Sequence, residues 1–391
     1  MRTQESGRTP VRRPADRKQR IAAAAAELFR DRGFHNVSVA HVAEAVGITA
    51  PAVYRHFRNK QDLLAYVVRQ GVRDLENIGA SEDLDGLLRA MASRAAGRQG
   101  LTILWQREAR HLPEEQREEL RRYISAVVAG YAAQIRAERP ELSENDSELL
   151  GWAVLGVFSG VSALRVSVPR SKAEATIHRL AARVADCELG YAHTAPSAAE
   201  RAGGVSMVMS RREQLLTEAI RLFDERSFQS VSTDDIGEAV GASGPSIYKH
   251  FPSKTDLLVA AVVRGGERRQ LGTSQALARA TTAREALDLL LRAYIDFALE
   301  QSHLIGVLIS ELDQLPESNR KSALQTQRDY LALWEKVLGQ AVPDLDAAEL
   351  KMTVRAVITM VNNVARTGRL AARPDVVDRL VEIGTALLTD D

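Results

Sequence analysis

Two short segments combine small polar residues with tyrosine, histidine and basic residues, the types that contact DNA bases and phosphates. Small or hydrogen-bonding groups allow a helix N-terminus to approach base edges in the major groove. The groups suited to the bases are Thr49, Ala50 and Ala52 in the first segment, and Ser243, Gly244 and Ser246 in the second. The groups suited to phosphates are Tyr54, Arg55, His56 and Lys60, and then Tyr248, Lys249, His250 and Lys254. His56 could equally be a packed structural histidine.

The two segments resemble each other because the chain contains a tandem duplication. Residues Leu28–Leu64 align without a gap on Leu222–Leu258. Further along, Leu112-Pro113 matches Leu315-Pro316, and Pro140 matches Pro343, each opening an apolar helical run. The C-terminal part of each copy has diverged further than the N-terminal part.

Helical signals dominate both copies, since apolar residues recur at three- and four-residue spacing and no alternating strand pattern persists. Ser38 and Ser232 are natural N-caps for a short helix that ends at Gly47 or Gly241. Thr49 and Ser243 are predicted to cap the next short helix. Two short helices joined by a tight glycine turn form a helix-turn-helix, so the sequence predicts an all-α protein with two of them.

The repeated pattern resembles the TetR family of transcriptional regulators. In each copy it reads LF-xxxx-F-xx-VS, followed by EAVG-xxx-P-xx-Y-R/K-HF-xx-K-x-DLL. The resemblance implies a three-helix DNA-binding head on a helical body that binds ligand and dimerises. It also implies that Tyr54, Tyr248, Lys60 and Lys254 contact phosphates, and that Ser38 and Ser232 act as caps and possible phosphate contacts. The bodies match only in layout, so no ligand contact is transferred by position.

The duplication divides the chain into six predicted parts. Pro, Ala, Ser and Gly without helical periodicity mark the linker between the copies. The parts are a basic arm over 1–14, a first head over 15–75, a first regulatory body over 76–192, the linker over 193–209, a second head over 210–268 and a second regulatory body over 269–391.

The heads differ in charge. Residues 1–60 carry twelve Lys and Arg against five Asp and Glu, whereas residues 210–254 carry six against seven. Asp234 and Asp235 begin the first helix of the second helix-turn-helix. The arm is either a solvated tail or a minor-groove contact. The second head is either a DNA reader or one weakened for that task.

A chain with two heads and two bodies could pair with itself. The candidate bundle helices are Ser147–Val168, Lys172–Tyr191, Ala347–Leu370 and Pro374–Leu388. Gly151, Gly156 and Gly160 would permit close helix approach, whereas the second copy has Asn362 and Asn363. We therefore predict an intramolecular pseudo-dimer with an asymmetric four-helix bundle that reads a non-palindromic operator. Higher homo-oligomers remain possible.

Family bodies commonly enclose an apolar cavity, and aromatic residues with a few polar neighbours are candidates to line one. The candidates are Trp105, Glu108, His111, Tyr123, Trp152, Phe158, Phe297, Leu308, Glu311, Tyr330 and Trp334, with Arg107, Tyr294 and His303 beside them. The alternative is that these residues simply fill the core. The effector would be an acyl, sterol-like or aromatic molecule, and the resemblance to tandem members points to lipid or sterol genes.

The remaining features exclude other classes. Cys187 is the single cysteine, so no intramolecular disulfide or thiolate cluster can form. Scattered histidines and the absence of catalytic motifs predict that the chain is not an enzyme and needs no cofactor or metal. No apolar run is long enough to span a membrane, and we expect a cytoplasmic location. The rival function is a DNA-bound adaptor or architectural protein without an effector. Repression is the family's usual mode, but activation stays open.

Overall fold

The computed structural model describes residues 14–76, 83–97, 104, 107–162, 164, 168–190, 210–242 and 247–389. Every regular element in these ranges is helical, which confirms the predicted class. Several predicted features lie outside the described residues. They are the arm up to residue 13, the linker, Trp105, and the Ser243, Gly244 and Ser246 group.

The first head comprises α1 (Pro14–Arg32), α2 (Val39–Ala45) and α3 (Ala50–Tyr54), followed by α4 (Lys60–Glu76). Ser38 caps α2 as predicted, because its hydroxyl accepts a hydrogen bond from the backbone N–H of His41. Gly47 has φ +68°, the left-handed conformation that lets the chain turn sharply between α2 and α3. These helices enclose a small aromatic core around Phe29, Phe34 and Phe57.

The first body contains α5 (Leu84–Gly97), a 3₁₀ turn (Ala109–His111), α6 (Glu114–Glu138), α7 (Glu144–Ser162) and α8 (Arg170–Ala185). Helix α7 is buried on all sides, since every residue from 149 to 162 is buried. A helix that is apolar all round belongs in the centre of a protein, and α7 lies there.

The second copy repeats this plan. Its head contains α9 (Arg211–Arg226) and α10 (Thr233–Ala239), and α11 (Lys254–Arg279) leads into the body. Because α11 is continuous, it runs through the predicted head–body boundary at residue 268. The body adds α12 (Ala283–Glu300), α13 (Ser302–Ser310), a 3₁₀ turn (Leu312–Gln314), α14 (Glu317–Ala341), α15 (Ala347–Ala365), α16 (Gly368–Ala371) and α17 (Val376–Leu388).

Helices α7, α8, α15 and α17 pack together as a four-helix bundle made by both copies. Its closest seam joins α7 to α15 at two of the predicted glycines. A Cβ atom on Gly156 would lie 2.6 Å from the Cα of Met360, and one on Gly160 would lie 2.6 Å from the carbonyl oxygen of Arg355. Gly151 instead faces α6 of its own copy. Only glycine at 156 and 160 permits this approach of the two backbones.

Candidate nucleic-acid interface and ligand cavity

The predicted DNA-contact residues of the first recognition segment differ in exposure. Thr49, Tyr54 and Arg55 are exposed, Ala50, Ala52 and His56 are half-buried, and Val53 anchors the helix in the core. Thr49 makes no side-chain capping bond, so its hydroxyl is not used by the helix it precedes. Tyr54 exposes 52% of its surface, which is unusual for a large aromatic side chain with no partner to cover it. This face suits contact with a nucleic acid.

The second head presents a related surface in its described part. Tyr248 is 55% exposed, Lys249 and His250 are also exposed, and Ile247 takes the buried place of Val53. The hydroxyls of Tyr248 and Thr233 lie 3.4 Å apart, so the tyrosine leans toward the start of α10.

The capping serines distinguish the heads. The oxygen of Ser38 lies 3.2 Å from the N–H of His41, whereas the oxygen of Ser232 lies 3.0 Å from the N–H of Asp235. Both serines are exposed at their helix N-termini. Hydrogen bonds from the Ser232 hydroxyl and N–H lower the pKa of Asp235. The second head therefore keeps a carboxylate where the first has an imidazole.

Lys60 and Lys254 have a structural role that the sequence did not indicate. The Nζ of Lys60 donates hydrogen bonds to the carbonyls of Phe34 and Val37, at 2.8 and 2.9 Å. Lys254 does the same to Phe228 and Val231, at 2.8 and 2.7 Å. Each ammonium also lies over a phenylalanine ring. Two of the three donors of each lysine are thus occupied within the head, and the predicted phosphate contact stays a prediction.

Glu311 ties the second head to both bodies. Its Oε1 lies 2.9 Å from the N–H of Phe228 in the head and 2.7 Å from Arg110 of the first copy. Arg110 also donates to the hydroxyl and carbonyl oxygens of Ser310. Because Glu311 is only 1% exposed, burial raises its pKa to about 7 against the opposing charge of Arg110.

The equivalent glutamate of the first copy, Glu108, is also buried. It lies 3.4 Å from the Nε2 of His111, whose ring stacks on Phe34 of the first head. Burial raises the pKa of Glu108, but His111, Arg107 and Arg110 outweigh it and the net pKa is lowered. Arg107 reaches across the copies, donating to Asp313 at 2.8 Å and to the Arg30 carbonyl at 3.4 Å.

Asp224 forms a second attachment between the second head and its body. Its carboxylate lies 2.9 Å from Arg366 and 2.9 Å from the Nδ1 of His303. Burial opposes ionisation, but these two partners lower the pKa of Asp224. Gly306 makes room for the cluster, since a Cβ there would collide with both Asp224 and Arg366. The aligned residue in the first head is Arg30, a cation at the position where the second head has this carboxylate.

A cavity of about 710 Å³ lies between the copies. The first copy contributes Trp152, Ser159 and Gly160, and the second contributes most of the other walls. Among the predicted pocket residues, Trp152, Phe297, Leu308 and Tyr330 line this cavity, as do Arg107 and Tyr294. Asn362 lines it too and accepts a hydrogen bond from the Tyr294 hydroxyl at 2.8 Å, so it pairs within its own copy rather than across the bundle.

The other described pocket candidates lie elsewhere. Glu108, His111 and Glu311 form the head–body contacts above, while Tyr123, Phe158 and Trp334 pack in the hydrophobic core. His303 pairs with Asp224. For Tyr123, Phe158 and Trp334 the observed positions are those of the core-filling alternative. The sequence did not single out Arg269 or Arg355, which line the cavity. No periodic signal could have marked them, since arginine is common on helix surfaces.

Two classes of site are absent from the described ranges. No group of three or more His, Cys, Asp or Glu residues there could hold a metal ion. No helix among the described residues has the length and apolarity needed to cross a membrane.

Comparison with known proteins agrees with the repeated head. Residues 21–67 and 215–261 both match the tetR family of bacterial regulatory proteins, and residues 280–373 match the C-terminal domain of tetracycline-repressor-like proteins. The HTH-type transcriptional activator FasR of Mycolicibacterium smegmatis is 33% identical over 122 residues, covering 31% of this chain and 55% of that protein.

A further curated relative matches a smaller part. An HTH-type transcriptional regulator of Staphylococcus aureus is 39% identical over 61 residues, covering 16% of this chain and 31% of that protein. The chain thus spans about half, or less, of the length of these curated relatives. A solved ketosteroid transcriptional regulator of Mycobacterium tuberculosis is 20% identical, with a TM-score of 0.43, over 46% of this chain and 95% of that one.

The matching family and relatives are regulators, not enzymes, in agreement with the sequence. Two separate matches to the same N-terminal domain show that the chain carries two TetR-type DNA-binding domains in tandem.

Proposed function

We propose that this protein is a ligand-responsive, DNA-binding transcriptional regulator that acts as an intramolecular pseudo-dimer on a non-palindromic operator. The observation that carries the proposal is a pair of unlike heads mounted on one four-helix bundle built by both copies of the chain.

The pairing is supported by the fit between α7 and α15. Gly156 and Gly160 bring the two backbones close enough that a side chain on either glycine would collide. Around this seam Arg179 pairs with Glu349 at 2.7 Å and Arg373 with Asp146 at 2.6 Å, each joining one copy to the other. A linker between the copies raises the effective concentration of this pairing over pairing with another chain.

The asymmetric operator is supported by the residues that would face the bases. The first head offers Thr49, Ala50 and Ala52, and the second has Ser243, Gly244 and Ser246 at the aligned positions. Different side chains read different base edges, so each head would prefer its own half-site. Asp234 and Asp235 would also weaken the attraction of the second head for phosphates.

The effector site is the cavity between the copies. Arg107, Asp313 and Arg366 line it and also take part in the contacts that hold the heads. A molecule bound there would touch the residues that set the position of both heads, which is the differential contact that a ligand needs to shift an equilibrium. The cavity volume is in the range of small-molecule sites.

The regulated genes and the direction of control follow from resemblance alone. Tandem members of the family point to lipid or sterol metabolism, and repression is the usual mode. One relative, FasR, is named an activator. A transcription assay with the operator upstream of a reporter decides between the two.

The deciding experiment is light scattering of the protein, free and bound to its own upstream DNA, together with a footprint. One chain of 42.9 kDa per asymmetric footprint is expected. Two chains on a palindrome protected by the first head alone would overturn the pseudo-dimer. Replacing one half-site by the inverted repeat of the other should weaken binding, and tighter binding would contradict the asymmetric operator. If no lipid-like molecule changes the affinity of the protein for its DNA, the alternative of a DNA-bound adaptor without an effector is favoured.

A further inference from the structure

Two arginines in the cavity between the copies have no acidic partner among the described residues. They are Arg269 on α11 and Arg355 on α15. The other cavity arginines are paired: Arg107 with Asp313, Arg121 with Glu114, Arg366 with Asp224, and Arg369 with Glu148. Asp313 is the one acidic residue in the described cavity lining, and it is engaged by Arg107.

The two unpaired guanidinium groups belong to the wall of one cavity, which also includes Tyr294 and Tyr330. Arg269 stacks over the Tyr330 ring, 4.3 Å from its centroid. Burial raises the pKa of Tyr294 to about 12, and the charges of both Arg269 and Arg355 oppose that rise, so both lie within reach of this phenol. The charge of Glu335 also reaches Arg355 but forms no ion pair with it. Desolvation lowers the pKa of Arg355, so its surroundings supply less stabilisation than water would.

Helix α7 of the first copy supplies another part of the cavity wall. Trp152 and Ser159, which are 8% and 1% exposed, line the cavity from α7. The indole Nε1 and the serine Oγ are buried without a hydrogen-bond partner in the described structure. Because neither atom has appreciable accessible surface, the part of the wall that α7 supplies here is mainly carbon surface.

We propose that this cavity binds an amphiphile whose carboxylate or phosphate group lies between Arg269 and Arg355 and whose apolar body lies against Trp152, Phe297 and Leu308. The proposal rests on the effector function above and names the chemical class of the effector.

An anion satisfies both charges where a neutral lipid would not. Arginine presents a planar set of donors that matches the two oxygens of a carboxylate or phosphate, and charge-assisted hydrogen bonds are about twice as strong as neutral ones. A neutral molecule of the same shape would bury the guanidinium groups further without pairing them. The apolar body would gain from burial against the aromatic wall.

The test uses the full chain and three probes with the same alkyl chain: palmitate, hexadecyl phosphate and hexadecanol, each below its aggregation concentration. Binding is measured by calorimetry, and release of the upstream DNA is measured separately. The variants are Arg355→Gln, Arg269→Gln and the charge-retaining Arg355→Lys. Arg292→Gln is the matched control, because Arg292 pairs with Asp288 and is not among the cavity residues. Thermal unfolding of each variant checks that it is folded.

Palmitate or hexadecyl phosphate should bind at least tenfold more tightly than hexadecanol. This difference in affinity is about what one charged hydrogen bond contributes. The two glutamine variants should remove that preference, Arg355→Lys should keep part of it, and Arg292→Gln should leave it unchanged. The tighter of the two anionic probes identifies the headgroup. If hexadecanol binds equally well and the variants change nothing, the anionic class is wrong while an effector function survives. If no probe binds or releases DNA, the anionic class and the ligand response both fail, whereas the DNA-binding pseudo-dimer is judged by the light-scattering and footprint experiment.

Discussion

The two heads of this protein share one internal design and differ in how they are attached. In each, a lysine from the start of the following helix donates to two carbonyls of the turn before the helix-turn-helix. The second head is then tied to its own body through Asp224 and to both bodies through Glu311. The first head has Arg30 in place of Asp224 and meets the bodies through Arg107 and the His111–Phe34 stack.

The excess positive charge and the buried contacts to the bodies therefore lie on different heads. The first head carries the excess of basic residues, whereas the second is nearly neutral and has the stronger buried ties. Under the proposed function, long-range attraction to DNA would fall mainly on the first head, while the second head would have the more buried connection to the proposed effector cavity. A duplicated module can divide two tasks in this way because each copy needs only one of them. The predictions below test that division, in order of decreasing effect.

Removing Arg110 should have the largest effect, because it leaves Glu311 buried without a cation. We expect Arg110→Met to lower the free energy of unfolding by about 3 to 5 kcal/mol at pH 8. The measurement is denaturant unfolding, with hydrogen exchange in the turn around Phe228 to locate the loss. Arg89→Met, at an exposed i,i+4 pair, is the control and should cost at most about 0.5 kcal/mol.

The Arg110 effect should depend on pH with a defined sign. The pKa of Glu311 is raised in the folded state to about 7 from an ordinary 4.5, so its stabilising contribution is complete below pH 4.5 and is lost as the pH rises toward 7. Without Arg110 that pKa would rise further, and the loss would extend to higher pH. The deficit of Arg110→Met should therefore shrink at pH 5, and an equal deficit at pH 5 and pH 8 would contradict the ion-pair explanation.

Filling the seam between the copies should affect both heads alike. Gly156→Val places a side chain against the backbone of α15, and overpacking of this kind costs about 1 to 3 kcal/mol. Gly130→Ala is the opposite case, since nothing lies near its Cβ position in α6, and it should stabilise by about 0.5 to 1 kcal/mol. Calorimetric unfolding measures both. A harmless Gly156→Val would mean that the copies do not pack in this way.

Breaking the Asp224 attachment should loosen the second head alone. We expect Asp224→Asn to cost about 1 to 2 kcal/mol and to speed hydrogen exchange in α9. Arg30→Ala, at the aligned position, should cost little, because Arg30 pairs with the adjacent, half-exposed Asp31. Equal effects at the two positions would remove the difference in anchoring between the heads.

The smallest effects should come from single contacts to DNA. Arg55→Ala and Lys249→Ala should each weaken binding to the upstream DNA by about fivefold and lower the slope of its salt dependence, if both heads touch phosphates. Lys321→Ala, an exposed residue of α14 paired with Glu317, is the control. If Arg55→Ala binds the DNA more weakly and Lys249→Ala binds it as tightly as the unaltered protein, the second head does not contact DNA phosphates through Lys249.

Local signals account for the part of this structure that the sequence predicted well. Ser38, Ser232, Gly47 and Gly241 act within a few residues of themselves, as caps or as left-handed turns, so their effect is readable without knowing the fold. The same is true of the duplicated motif, and of Gly156 and Gly160, whose small size marks a close contact even before its partner is known. The exposed Tyr54 and Tyr248 also follow directly from the motif.

Only the tertiary structure could show which residues pair when they are far apart in the sequence. Glu311 was a candidate for a ligand pocket, and instead it joins Phe228 to Arg110, residues far apart in the chain. Arg269 and Arg355 lie on different helices, and their isolation from acidic partners is visible only where those helices surround a cavity. The sequence by itself determined the helices, the repeat and the candidate DNA-contact residues, because those depend on local spacing. Tertiary packing decided the attachment of each head and the charge of the cavity, because a charge is paired or unpaired only by neighbours that folding brings to it.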